Sequence, residues 1–289
     1  GEGFLPIIGT ENSSESMRIF LGTFDGNRKE IRNLYQNING QNLYDVEGMK
    51  MVLGGLFGAT LGTIQNLGVT GIINAEVNSL GEDFLLAIGG IGGLGLAPIT
   101  KCYSNINITV DSYESTEEFI GGITGWGYEI TECYNSGDIT TEGDEDFYIG
   151  GITGLIQEGA IVKNCYNKGK IKGTGCAGGI VGYFDYGSIG NCYNIGTVEG
   201  KSTLGGIAGF VGRPTYLKNS FCIDNIDNLY GSTDFSEFEP VNCAIKTESQ
   251  LKAKDNTMID LLNTELESPI WKVDTNNINE GYPILSWQE

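Results

Sequence analysis

The sequence predicts an all-β fold, a parallel β-helix. Three observations carry that prediction: a repeated Gly-Gly-Ile-x-Gly segment, a second repeat built on Cys-Tyr-Asn, and 45 glycines in 289 residues without the three-residue period of collagen. The first segment recurs as Gly121-Gly122-Ile123-Thr124-Gly125, Gly150-Gly151-Ile152-Thr153-Gly154, Gly178-Gly179-Ile180-Val181-Gly182 and Gly205-Gly206-Ile207-Ala208-Gly209. Its first glycines stand at 121, 150, 178 and 205, so the copies are 29, 28 and 27 residues apart. Looser copies precede them at Gly54-Gly55-Leu56-Phe57-Gly58 and Gly92-Gly93-Leu94-Gly95, and the run Gly89-Gly90-Ile91-Gly92-Gly93 leaves the register of residues 72–120 open.

The second signature follows each copy, as Cys102-Tyr103-Ser104-Asn105, Cys133-Tyr134-Asn135, Cys165-Tyr166-Asn167 and Cys192-Tyr193-Asn194. The last three continue into Gly137-Asp138-Ile139, Gly169-Lys170-Ile171 and Gly196-Thr197-Val198. About six or seven units therefore run from about residue 20 to 225, as a repeat architecture requires. Paired glycines in every unit argue against helices, since each costs about 1 kcal/mol relative to alanine there. The units instead carry β-branched residues and period-two patches such as Ile161-Val162-Lys163-Asn164-Cys165-Tyr166. Each unit is one coil of short strands, right-handed by the general preference of parallel crossovers. Stacked coils put equivalent residues about 4.8 Å apart. Isoleucine and cysteine should then fill the interior, tyrosine should face outward and stack, and asparagine should bond the coil above.

The ends differ from the middle. Residues 1–240 are read as the solenoid, with 1–50 supplying a first coil and its cover and 51–225 the repeats; residues 241–289 are read as a small C-terminal cap. In that cap Thr247-Glu248-Ser249-Gln250 forms a capping-box candidate and Asp255-Asn256 precedes Met258, Ile259, Leu261 and Leu262, so short helix is expected. Trp271, Ile284, Leu285 and Trp287 are expected to close the last coil.

Composition excludes much. The net charge of −20 repels nucleic acid and anionic lipid, both of which need a basic footprint. No apolar run reaches the about 18 residues of a membrane span, so direct insertion is not expected. Gly1-Glu2-Gly3-Phe4 lacks the basic and apolar parts of an export signal, and the chain reads as trimmed from a longer one, or as a monomer. Histidine is absent, which removes Ser-His-Asp and Cys-His catalysis and histidine-based zinc chemistry. Four of the seven cysteines share one slot on successive coils, too far apart for disulfides, while Cys176, Cys222 and Cys243 fall outside it. No metal site is expected. Calcium is the one cation weighed, at the acidic groups Asp111, Glu114, Glu117 and Glu118, at Glu142, Asp144, Glu145 and Asp146, and at Asp224 with Asp227; solvated loops are the default, since no known calcium loop pattern is present.

One strip merits a functional reading. The residue after each quintet is Trp126, Leu155, Tyr183 or Phe210, with Tyr128, Phe184 and Tyr186 close by. Pointing inward, these are ordinary core; pointing outward, Trp126, Tyr128, Tyr183 and Tyr186 form a face for a glycan or peptide. The rival is a polysaccharide lyase or glycoside hydrolase, for which Asp185 beside Tyr183 and Tyr186, near Arg213 on the next coil, is the available constellation.

The combined pattern resembles the GLUG-type repeats of bacterial surface proteins, including adhesin-like chains and the non-catalytic region of IgA-specific metallopeptidases. The likeness extends to Phe4-Leu5-Pro6-Ile7-Ile8-Gly9, to Phe20-Leu21-Gly22-Thr23-Phe24-Asp25-Gly26-Asn27, to Ile31-Arg32-Asn33-Leu34-Tyr35, and to Trp271 with Asn279-Glu280-Gly281-Tyr282-Pro283-Ile284-Leu285. It departs at residues 72–120. The resemblance implies a secreted or cell-surface bacterial solenoid that binds a host or cell-surface glycan or protein, with no catalytic residues to transfer.

Overall fold

A computed structural model describes residues 19–39, 43–46, 49–78, 84–113, 117–143, 147–213, 215–252 and 254–289. The segment Phe4–Gly9 and the acidic residues Glu114, Asp144, Glu145 and Asp146 lie outside them. The chain is a parallel β-solenoid. A sheet of 20 strands carries the segments after each Gly-Gly, at each Cys-Tyr and at each Gly-x-Ile, and a sheet of 7 strands carries the segment leading into each Gly-Gly. The first coil is built on the strand Phe24–Ile38, which pairs in parallel with Ile64–Asn78.

The interior consists of the expected ladders. Ile123, Ile152, Ile180 and Ile207 are fully buried, and each main-chain N–H donates to the next member's carbonyl at 2.9 Å as far as Ile207. Ile91 N–H donates to Ile123 in the same way, so Gly89-Gly90-Ile91 is the true repeat copy, and Gly92, which pairs with Thr124, stands three residues further on. Gly89 pairs with Gly121, which fixes the register the sequence left open.

The cysteine slot runs Leu67, Cys102, Cys133, Cys165, Cys192, Ser220 and Cys243, because Gly68 pairs with Tyr103 and Phe221 pairs with Ala244. Cys243 therefore belongs to the ladder, against the sequence reading. Its thiol donates to the carbonyl two residues back, at Val241, as Cys102, Cys133, Cys165 and Cys192 do at their own levels. All seven cysteines are free. Burial pushes the thiols of Cys102 and Cys165 well above the ordinary cysteine range, and it acts in the same direction on Cys133 between them.

Beside the thiols runs a buried amide ladder. Asn135 Nδ2 donates to Asn167 Oδ1 and Asn167 Nδ2 to Asn194 Oδ1, both at 2.9 Å. Each side chain also closes a turn on the glycine two residues ahead, donating to its carbonyl and accepting from its N–H. Nearly every polar atom of the column is thereby satisfied, which is what permits its burial. At Gly122, Gly151 and Gly179 the second glycine of the pair makes room for this ladder: a Cβ at Gly151 would lie 2.4 Å from Asn167 Cγ. Left-handed backbone falls elsewhere, on the residue before the cysteine slot. Lys101, Glu132, Asn164, Asn191, Asn219 and Asn242 all have φ between 46° and 56°, and asparagine tolerates that region better than most side chains.

The C-terminal segment departs from expectation. The capping box forms as read, with Thr247 and Gln250 exchanging bonds at the start of helix α1 (Glu248–Leu251), and α2 spans Thr257–Leu262. The strand Ala244–Lys246 still pairs within the solenoid, so the cap begins after it. It does not close the last coil. There the interior ends on Ile226, Leu229, Phe235, Phe238 and Ile245. The segment instead folds back along the outside of earlier coils and covers Tyr166 and Tyr193, where its apolar side chains and theirs leave water together.

Candidate binding face

Two outward aromatic columns emerge from this geometry. Tyr103, Tyr134, Tyr166 and Tyr193 stack with centroids 5.1, 4.8 and 5.0 Å apart and rings within 7° of parallel. The C-terminal segment is bonded onto them: Tyr193 Oη donates to Pro283 O at 2.6 Å, Gln288 Nε2 to Tyr166 Oη at 2.9 Å, and Trp287 Nε1 to Glu132 O at 3.0 Å. Asn191 anchors it further, donating to Leu262 O and Thr264 O. Tyr166 and Tyr193 are buried with Leu251, Met258, Leu262, Trp271 and Leu285.

The second column is the strip after each quintet. Trp126 pairs with Leu94 and Leu155, Leu155 with Tyr183, and Tyr183 with Phe210. Strand alternation decides its direction: the next residues Ile156, Phe184 and Val211 belong to the interior core, so the residue before each points out. Trp126, Tyr183 and Phe210 therefore face outward, half-buried; Trp126 and Tyr183 belong to a cluster separate from that core, and Phe210 joins it through the Tyr183 ring. Leu155 is outward as well but buried.

The burial comes from a partner column in the other sheet. Phe119 and Tyr148 are paired neighbours, and their rings stack at 5.7 Å. Phe119 meets Trp126 edge-on at 5.8 Å, Tyr148 stacks on Tyr183 at 5.0 Å, and Tyr183 meets Phe210 at 5.3 Å. The two sheets approach this closely because of the third glycine of each quintet: a Cβ on Gly125 would lie 2.6 Å from Phe119 O, and one on Gly154 2.7 Å from Tyr148 O. The result is a continuous aromatic seam. Phe119 and Tyr148 were not singled out from sequence, although each stands two residues before a Gly-Gly pair, where strand alternation already requires an outward side chain.

Of the four residues read as candidates, the seam unites Trp126 and Tyr183. Tyr128 and Tyr186 are exposed and stand apart from it, at a register irregularity after Gly127 where residues 157–160 bulge. Tyr186 carries the Arg213 guanidinium over its ring at 5.0 Å. The constellation weighed for sugar cleavage is spent on structure: Asp185 is buried, accepts from Arg213 N at 2.7 Å, and holds the Arg213 guanidinium at 3.7 Å.

The acidic groups scatter. Glu118 is buried while its neighbour Glu117 is exposed, with its carboxyl pushed up by partial burial. Glu76, Asp111 and Glu142 stand in register on adjacent strands, and Asp224 and Asp227 are exposed. Among the described residues no three His, Cys, Asp or Glu side chains converge as a metal site, and no helix is long and apolar enough to cross a membrane.

No family model matches the chain, and no curated protein matches it. A solved structure is similar: the crystal structure of a protein from Bacteroides ovatus described as a "putative immunoglobulin A1 protease" shares 21% identity with a TM-score of 0.58, over 99% of this chain and 82% of that one. At this identity the likeness establishes the β-solenoid fold.

Proposed function

We propose that the chain is a non-catalytic binding solenoid of a secreted or cell-surface bacterial protein, which holds an extended glycan or peptide along the seam from Phe119 and Trp126 to Tyr183 and Phe210. The observation that carries this reading is the seam itself. Four half-buried rings, joined through the buried ring of Phe119 and rigidly spaced by the coil, offer a ready-made apolar strip to a ligand of repeating units. The resemblance of the repeats to those of bacterial surface proteins supports the location and a host or cell-surface partner. The neighbour's name concerns immunoglobulin A1 and proteolysis; carried to this chain, it supports a protein partner and makes cleavage the rival reading. Against that rival, the sequence has no histidine, and Asp185 is engaged by Arg213.

The test is capture on glycan and peptide arrays, immunoglobulin A1 included, by the full chain and by Trp126→Ala and Tyr183→Ala. Both variants should lose most of the capture while remaining folded. Cleavage of immunoglobulin A1 or of a polysaccharide by the purified chain, or capture unaffected by both substitutions, would overturn the reading.

A further inference from the structure

Past the tyrosine column the coils present a further outward face. It is carried on five successive levels by the strands Ile64–Asn78, Tyr103–Tyr113, Ile139–Gly143, Ile171–Gly173 and Val198–Gly200. Ile73, Ile108, Ile139, Ile171 and Val198 form one inward line, and strand alternation turns the residues on either side of it outward. One outward line runs Asn74, Thr109, Thr140, Lys172 and Glu199. The next runs Glu76, Asp111 and Glu142, and the corresponding positions after Gly173 and Gly200 are Thr174 and Lys201.

The charges on this face are sorted along the solenoid axis. Its first three levels carry Glu76, Asp111, Asp138 and Glu142 and no basic residue. Its last two carry Lys170, Lys172 and Lys201 against the single acid Glu199, in a chain with 37 acidic and 17 basic residues. Bonds within the chain use only part of this charge. Lys170 pairs with Glu199 at 2.8 Å, and Asp138 accepts the Lys170 main-chain N–H at 2.8 Å. Among the described residues, Glu142, Lys172 and Lys201, all exposed, and Asp111 have no ion pair.

We propose that this face docks onto the same face of a second copy, with the two solenoid axes antiparallel. A two-fold axis along the strand direction, between the third and fourth levels, keeps each outward line over itself and reverses the order of the levels. The third level then meets the partner copy's fourth, and the second meets its fifth. Glu142 comes beside Lys172 of the other copy and Asp111 opposite Lys201 of the other copy, each twice by symmetry. With parallel axes the acidic halves would face each other, so charge selects the antiparallel dimer. Levels about 4.8 Å apart and only a few residues of strand limit the contact to on the order of 1,000 Å² over both copies, the size of a weak interface. The dimer is therefore weak, with a Kd on the order of 0.1 mM, and sensitive to salt. The aromatic seam stands on other strands, so the proposal does not depend on what the seam binds.

Sedimentation equilibrium of the full chain at about 0.5 mM tests it, at low salt and at about 0.5 M salt. A dimer should form at low salt and dissociate at high salt. Lys201→Glu and Asp111→Lys should each weaken it at least about tenfold, since each sets like charges opposite one another. The double variant should dimerise again, and so should an equimolar mixture of the two single variants, because both restore opposite charges across the two-fold. Rescue by mixing two chains separates a contact between copies from any effect on the fold of one. The proposal is overturned by a monomer at low salt, by a dimer indifferent to salt or to either single variant, or by failure of both the double variant and the mixture to associate.

Discussion

Two columns of aromatic side chains stand on the outside of this solenoid, and one of them is covered. The tyrosines 103, 134, 166 and 193 stack almost face to face; Tyr166 and Tyr193 disappear beneath the C-terminal segment, Tyr193 with no exposure left, while Tyr134 and Tyr103 toward the other end stay half-buried. The seam of Phe119, Trp126, Tyr148, Tyr183 and Phe210 is packed just as continuously, yet four of its five rings stay half-buried. Both arise from one cause: an in-register coil places like residues on one line, about 4.8 Å apart. A repeated aromatic position thus reveals that a column forms without revealing its role. That depends on whether another part of the chain buries it, making it core, or leaves it as a surface for something else.

Substitutions can break or sharpen this contrast. The largest effect is expected in the interior that the two faces share. Cys165→Asp places a carboxylate among buried thiols with no cation beside it, and should destabilise by about 5 kcal/mol. Chemical denaturation measures it; an unchanged midpoint would show that the ladder is not packed as described, as would a mass indicating bridges among Cys133, Cys165 and Cys192.

The contrast itself is tested by one pair of variants. Tyr193→Ala removes a fully buried ring together with its bonds to Pro283 O and Asn279, and should cost about 4 kcal/mol. Tyr183→Ala removes a half-buried ring held by two ring contacts, and should cost about 1.5 kcal/mol. Equal costs would mean that the seam is core after all and the binding face is wrong.

Alkaline titration gives the smallest effect and the finest comparison. Burial and the bond to Glu30 push the Tyr103 phenol up to about 12, and burial holds Tyr166 and Tyr193 well above the ordinary range; Tyr183 is raised less. An unfolded tyrosine ionises near pH 10. The folded state therefore holds these protons more tightly, so their contribution is complete below about pH 10 and is lost as pH rises through each folded value, which for Tyr103 is about 12. Tyrosinate absorbance, assigned with single Tyr→Phe variants, should show Tyr183 ionising before Tyr193. The reverse order would place the cover on the wrong column.

The sequence by itself determined the coil. Spacings of 27 to 29 residues, the isoleucine and cysteine slots, the asparagine ladder and the capping box at Thr247 were all legible. Each rests on short-range chemistry: the two-residue alternation of a strand, the small size of glycine, and the need to pair a buried amide. Irregular copies hid the register at Gly89-Gly90-Ile91 and the membership of Cys243, because a backbone pairing, and not the motif, sets a residue's level. The left-handed corners at Asn164 and Asn191 escaped the motif, since sequence shows which residues tolerate such a conformation but not which one the closing coil demands. The decisive choice between the two aromatic columns was left to tertiary structure. Tyr134 and Trp126 look alike as repeated outward positions, and what separates them is Trp287, whose indole reaches Glu132 from 155 residues further along the chain. Contact over that distance depends on where the finished solenoid leaves its C-terminal end and on which apolar stripe lies within reach, and no local pattern encodes either.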